Sequence, residues 1–149
     1  MKNIRSTLLA AGLLALAASA QAQMTPVGTW RTIDDETGQP KSEVVITESD
    51  GVLTGRIEKL LRPGADPNEL CTNCPGDRKG KPMVGLEIIR GAKKASNMEV
   101  WKGGYIIDPV KGNTYSLELT PIDEGRRLEV HGYMGLPALG RSQYWERLK

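Results

Sequence analysis

Apolar and polar residues alternate most clearly between Thr114 and Thr120, where Tyr115, Leu117 and Leu119 interleave with Thr114, Ser116 and Glu118. A period of two puts the apolar side chains on one face of a strand and the polar ones on the other. Just upstream, Tyr105 to Asp108 is short and apolar, and Asp108-Pro109-Val110-Lys111-Gly112 separates the two runs. Proline fixes the second position of a turn, the aspartate carboxylate accepts a backbone hydrogen bond two residues on, and glycine supplies a left-handed exit. The stretch from Trp101 to Thr120 therefore predicts a hairpin.

The same alternation predicts strands on both sides. Upstream they are Gly28 to Ile33, Ser42 to Thr47 and Val52 to Leu61, with Ser49-Asp50-Gly51 as a tight turn between the second and third. A fourth runs from Met83 to Arg90, followed by a polar turn over Gly91 to Asn97, and Met98 to Trp101 leads into the hairpin as the fifth. Thr114 to Thr120 is the sixth. Leu128, Val130 and Gly132 alternate with Glu129, His131 and Tyr133 in the seventh, and Arg141 to Leu148 is the eighth. The segment from Arg62 to Pro82 breaks every period. A loop of that length in a small domain is usually functional or tied down.

Short sequential connections make neighbouring strands antiparallel. Eight of them either pack as two sheets or curl until the last meets the first, and closure removes both sheet edges. The expected fold is all-β, an eight-stranded antiparallel up-and-down barrel. Its inward set of Ile46, Leu53, Ile57, Leu117, Leu119, Leu128 and Val130 is aliphatic, and the chain has no Phe to fill a centre. An interior of this size holds either packed side chains or one small ligand. An outer-membrane barrel would need an apolar outer band; here the faces opposite the apolar sets carry Arg56, Glu58, Glu118 and Glu129.

Address and charge narrow the classes further. Lys2 and Arg5, the apolar run Leu8 to Ala18 and Ala20-Gln21-Ala22 have the form of a bacterial signal peptide. The expected organisation is thus a cleaved leader over residues 1–22 and one barrel domain over 23–149, periplasmic or secreted. No later apolar run is long enough for a spanning helix. Loss of Lys2 and Arg5 from the 20 basic residues leaves them equal to the 18 acidic ones, and a neutral chain lacks the basic excess that nucleic acid requires.

Little in the chain suggests catalysis, and neither a metal nor a cofactor is expected. Cys71 and Cys74 are the two cysteines; in an oxidising compartment a disulfide is the leading reading. Pro75-Gly76 disfavours the helix that activates exchange thiols, and the single His leaves zinc short of ligands. His131 is expected as an exposed strand residue with no nucleophile or orienting partner. Arg78-Lys79-Gly80-Lys81 reads as a solvated loop end, and Asp34-Asp35-Glu36 as a polar turn without the spaced oxygens of a calcium loop. Trp101, Tyr105 and Tyr115 are read first as core or cross-strand pairs, and alternatively as lining a mouth.

Gly28-Thr29-Trp30, Gly55-Arg56-Ile57, Cys71-Thr72-Asn73-Cys74, the run from Gly103 to Pro109 with Gly112 and Tyr115, and the run from Leu139 to Arg147 together resemble domain-of-unknown-function family 2147. The resemblance covers nearly the whole chain after the leader and implies a lipocalin-like (calycin-like) barrel for an apolar ligand, with no catalytic residues to carry over. Gly28 and Trp30 with an Arg near the end also look like the lipocalin signature, in which a guanidinium packs on the indole and seals the closed end; Arg141 and Arg147 are the candidates. The expected function is binding of a small apolar or amphipathic molecule, with Trp30, Leu53, Ile57, Trp101, Tyr105, Tyr115, Leu117 and Val130 as candidate cavity residues. The alternative is a protein-binding module, an envelope-stress factor or an inhibitor of a secreted enzyme, which meets a periplasmic protein through loop 62–82.

Overall fold

The computed structural model describes residues 24–149. The leader assigned to residues 1–22, with its cleavage point, lies outside the described residues. Eight strands follow in order: β1 (Gly28–Ile33), β2 (Pro40–Ser49), β3 (Val52–Leu60), β4 (Glu87–Lys94), β5 (Trp101–Ile107), β6 (Thr114–Ile122), β7 (Arg127–Tyr133) and β8 (Arg141–Arg147). Each pairs antiparallel with the next, and β8 returns to β1 through Trp30 opposite Arg147 and Arg31 opposite Glu146. The sheet is a closed up-and-down barrel, so no strand is left with an unpaired edge. The β1–β8 seam is short and is extended by the chain end: Thr29 N donates to the Lys149 carbonyl at 3.0 Å and Leu148 N to the Thr29 carbonyl at 2.8 Å.

The central hairpin has the expected turn. The Asp108 carboxylate accepts from Val110 N at 2.9 Å and Lys111 N at 3.1 Å, and Gly112 leaves the turn at φ 78°. Asp50 and Gly51, at φ 51° and 77°, make the tight β2–β3 turn. Strand 4 departs from the expectation. It begins at Glu87 and continues through Gly91 to Lys94, so the residues read as a polar turn are mostly strand, and the turn into β5 is closed by Ala95 N donating to the Val100 carbonyl. Gly91 was the misleading residue. It takes a left-handed φ of 83° inside the strand, a Cβ on Gly104 across the β4–β5 pair would stand 2.7 Å from its carbonyl carbon, and the polar Lys93 and Lys94 lie on an exposed strand end. Strand β5 starts at Trp101 and Met98 is exposed.

An antiparallel meander places alternate connections at alternate ends. Connections 34–39, 61–86, 108–113 and 134–140 form one rim, and 50–51, 95–100 and 123–126 the other. At the second end the interior is solid: Trp30, Val44, Ile46, Leu53, Trp101, Leu119 and Leu128 are each no more than 4% exposed and form one core, with Leu117 and Ile89 at its upper edge.

Candidate functional site

Above that packed layer the barrel is hollow. A cavity of about 450 Å³ opens at the rim beside 108–113, 134–140 and the start of β2 at Lys41, within the range of small-molecule sites. Ile57, Ile88, Ile106 and Val130 supply aliphatic wall, and Trp145 and Tyr115 supply rings. The polar groups inside are satisfied by one another. Thr32 and Ser42, both buried, share a hydroxyl–hydroxyl bond of 2.8 Å. Gln143 Nε2 donates to Asp35 at 3.1 Å, and Trp145 Nε1 donates to the Gln143 carbonyl oxygen at 3.4 Å. Such a surface can receive an apolar body without stranding a buried donor or acceptor.

The eight residues expected at the cavity separate by depth. Ile57, Tyr115 and Val130 line it. Trp30, Leu53, Trp101 and Leu117 do not; they belong to the packed layer. Alternation tells inward from outward but carries no information on position along the barrel axis, so inward residues at both depths read alike. Tyr105 is displaced for another reason: a bulge between Lys102 and Gly104 shifts the alternation by one. It pairs with Arg90 and lies outside, with the Arg78 guanidinium 5.6 Å from its ring. The trio Trp101, Tyr105 and Tyr115 is therefore split between core, outer face and mouth. Ile88, Ile106, Gln143 and Trp145 escaped the sequence reading, although Gln143 and Trp145 alternate along β8 in phase with Arg141.

The closed end is sealed by Arg147. Its guanidinium lies 4.2 Å from the Trp30 ring and donates to the carbonyls of Val27, Thr25 and Gly125. Burial pushes its pKa below the ordinary arginine value. Gly28 makes this possible, because a Cβ there would stand 2.5 Å from Arg147 Nη1. Arg141 sits at the opposite end, paired with Asp35 at 2.9 Å on the cavity rim.

The long loop is tied down rather than loose. Cys71 and Cys74 form a disulfide, Leu70 bridges to Pro82, and a short 3-10 turn spans Gly76–Arg78. The loop is docked on the hairpin turn: Asn73 Nδ2 donates to the Val110 carbonyl at 2.8 Å, Cys71 Sγ lies 3.3 Å from the Pro109 carbonyl oxygen, and a Cβ on Gly112 would overlap the Asn73 carbonyl. Arg78 is not solvated as expected but only 6% exposed, donating to the Glu87 carbonyl. Its Nε is buried without a hydrogen bond. Arg90 links loop to barrel through Asp77 and Glu87, and that bond from Arg90 holds the Asp77 carboxyl below its usual range.

His131 faces outward on β7, half-buried. Its Nε2 donates to the Pro137 carbonyl at 2.7 Å, and its Nδ1 lies 2.9 Å from Ser142 Oγ, which donates to Glu129 at 2.7 Å. The serine gives its proton to the carboxylate and stands between the other two. That order makes a strut for the rim segment 134–140, whereas nucleophilic catalysis places the histidine in the middle. Among the described residues no group of three or more His, Cys, Asp or Glu is placed to hold a metal, and no helix is long and apolar enough to cross a membrane.

Comparison with known proteins agrees with this geometry. Protein HP1028 from the human pathogen Helicobacter pylori, described as belonging to the lipocalin family, superposes with a TM-score of 0.69 at 19% identity, covering 83% of this chain and 82% of that one. The likeness shows a shared fold. No curated protein matches the sequence. The model of the family described as "Uncharacterized protein conserved in bacteria (DUF2147)" matches residues 28–147, all eight strands, and the chain belongs to that family.

Proposed function

We propose that this is an exported, non-enzymatic barrel that carries one small apolar or amphipathic molecule in its rim-side cavity. The observation that supports the reading most is the half-filled interior: about 450 Å³ walled by Ile57, Ile106, Val130 and Trp145 above a closed, packed floor. Export is supported by the leader-like start of the sequence and by the disulfide, a bond suited to an oxidising compartment. Val130→Phe, which extends a ring into the hollow, tests the reading. Decanol titrated by calorimetry binds the parent protein and binds the variant at least about tenfold more weakly, a loss of about 1.4 kcal/mol, with thermal stability retained. Equal affinities would place the binding elsewhere and overturn the reading.

A second reading has loop 62–82 as a contact for a periplasmic protein partner. What favours it is the loop's fixed shape together with the exposure of Leu70, which is half exposed on the docked loop. Leu70→Asp would abolish partner capture while leaving decanol binding intact, and capture that survives the change counts against this reading.

A further inference from the structure

Charge is unevenly satisfied at the cavity mouth. Three cations, Lys41, Lys111 and Arg141, and one carboxylate, Asp108, contribute to the lining. The carboxylates there are already engaged: Asp108 accepts two backbone N–H groups of its own turn, and Asp35 takes both Arg141 and Gln143. Lys41 and Lys111 are not. Neither ammonium group makes a hydrogen bond or ion pair with another described residue, although the backbone N–H of Lys111 donates to Asp108 and the Lys41 carbonyl accepts from Leu61 N; Lys41 is half-buried and Lys111 exposed. The Asp34 carboxylate is lowered chiefly by the Thr37 N–H and only least by the charge of Lys41, and it is hydrogen-bonded to the backbone and hydroxyl of Thr37. Below these cations the wall turns aliphatic, and along β8 the rise from Arg141 at the rim to Trp145 inside is about 13 Å.

We infer that the ligand is a single-chain anionic amphiphile, whose carboxylate-like head meets Lys41 and Lys111 at the rim, beside Arg141, and whose chain runs inward along Ile57 and Val130. The inference rests on the cavity reading given above and adds the sign and position of the head. A head of this charge supplies the two ammonium groups with the partner they lack, and the pairing counts for most at Lys41, which is half-buried, and for less at Lys111 and Arg141, which are exposed. The packed layer limits the chain to medium length.

The test is calorimetric titration of the full mature chain with decanoate, decanol and decyltrimethylammonium, equal in chain and different in head. At low salt decanoate binds about tenfold tighter than decanol, the size that two or three ion pairs at a surface supply together, and the cation binds weakest. In the double variant Lys41→Gln, Lys111→Gln that preference falls to about twofold or less, as it does on raising salt toward 1 M. Decanol bound as tightly as decanoate, or a preference that survives the double variant, overturns the anionic-head assignment and leaves the cavity standing. If none of the three binds, the cavity reading falls and this inference with it.

Discussion

The two halves of this barrel are built from the same strands and the same alternation, yet one is solid and the other hollow. In the closed half, Trp30 and Trp101 meet Leu53, Leu119 and Leu128, and Arg147 caps the Trp30 ring from outside the core. In the open half, the small or polar groups Thr32, Ser42, Gly132 and Gln143 stand among the inward positions beside Ile57, Val130 and a single indole, Trp145, and a cavity remains. The lesson is that residue volume at equal phase decides whether a barrel of eight strands is a core or a container. Two indoles with Leu53, Leu119 and Leu128 at one level fill it; one indole with two hydroxyls and a glycine at the next does not.

The largest expected effect breaks the closed half. Trp30→Ala removes a fully buried indole and the seat of Arg147, and costs about 3–5 kcal/mol by urea denaturation. Ile57→Ala on the cavity wall costs only about 1–2 kcal/mol, because one side of that residue has no packing partners to lose. Equal losses would mean that the hollow is filled in solution. A smaller effect is expected at the rim. The Cys71–Cys74 ring closes so short a segment that the chain-entropy relation gives about 2 kcal/mol at most, and Cys71→Ser with Cys74→Ser should loosen the mouth more than the fold. Hydrogen exchange checks this: Gly112 and Asn113 amides gain exchange, while the β1 and β2 amides of the closed half keep their protection.

The smallest effect is pH-dependent and also belongs to the open end. Asp34 is held below its ordinary value of 3.8 chiefly by the Thr37 N–H, and Asp77 below the same value chiefly by Arg90. A carboxyl whose folded pKa is depressed adds stability above its unfolded pKa and loses it as pH falls through the folded one. The urea midpoint should therefore hold from neutral pH down to about 4 and decline below it. The Asp34→Asn, Asp77→Asn double variant should start lower at neutral pH and decline less. A parent protein whose midpoint rises on acidification would contradict this assignment.

Much of the architecture was legible because a barrel advertises itself twice, through period-two alternation and through turn chemistry at Asp108-Pro109 and Asp50-Gly51. The pairing of Arg147 with Trp30 was narrowed to two arginines but not to one, since Arg141 and Arg147 lie in the same strand and differ only in which end they reach. The site was less legible. Depth along the axis leaves no mark on alternation, so Trp30 and Leu117 read like Ile57, and a one-residue bulge at Gly103 sent Tyr105 to the outer face. Arg78 looked solvated because its burial depends on the loop folding back over Tyr105, a contact between residues far apart in sequence.

The central claim is that one half of the interior receives a ligand and the other cannot. Methyl-resolved NMR of the isotopically labelled protein during a decanol titration tests it most directly. The account predicts saturable shifts at the methyls of Ile57, Ile88, Ile106 and Val130, with those of Leu53, Leu119 and Leu128 unmoved. Shifts of equal size in both sets, or saturable binding that leaves the first set unmoved, would contradict it.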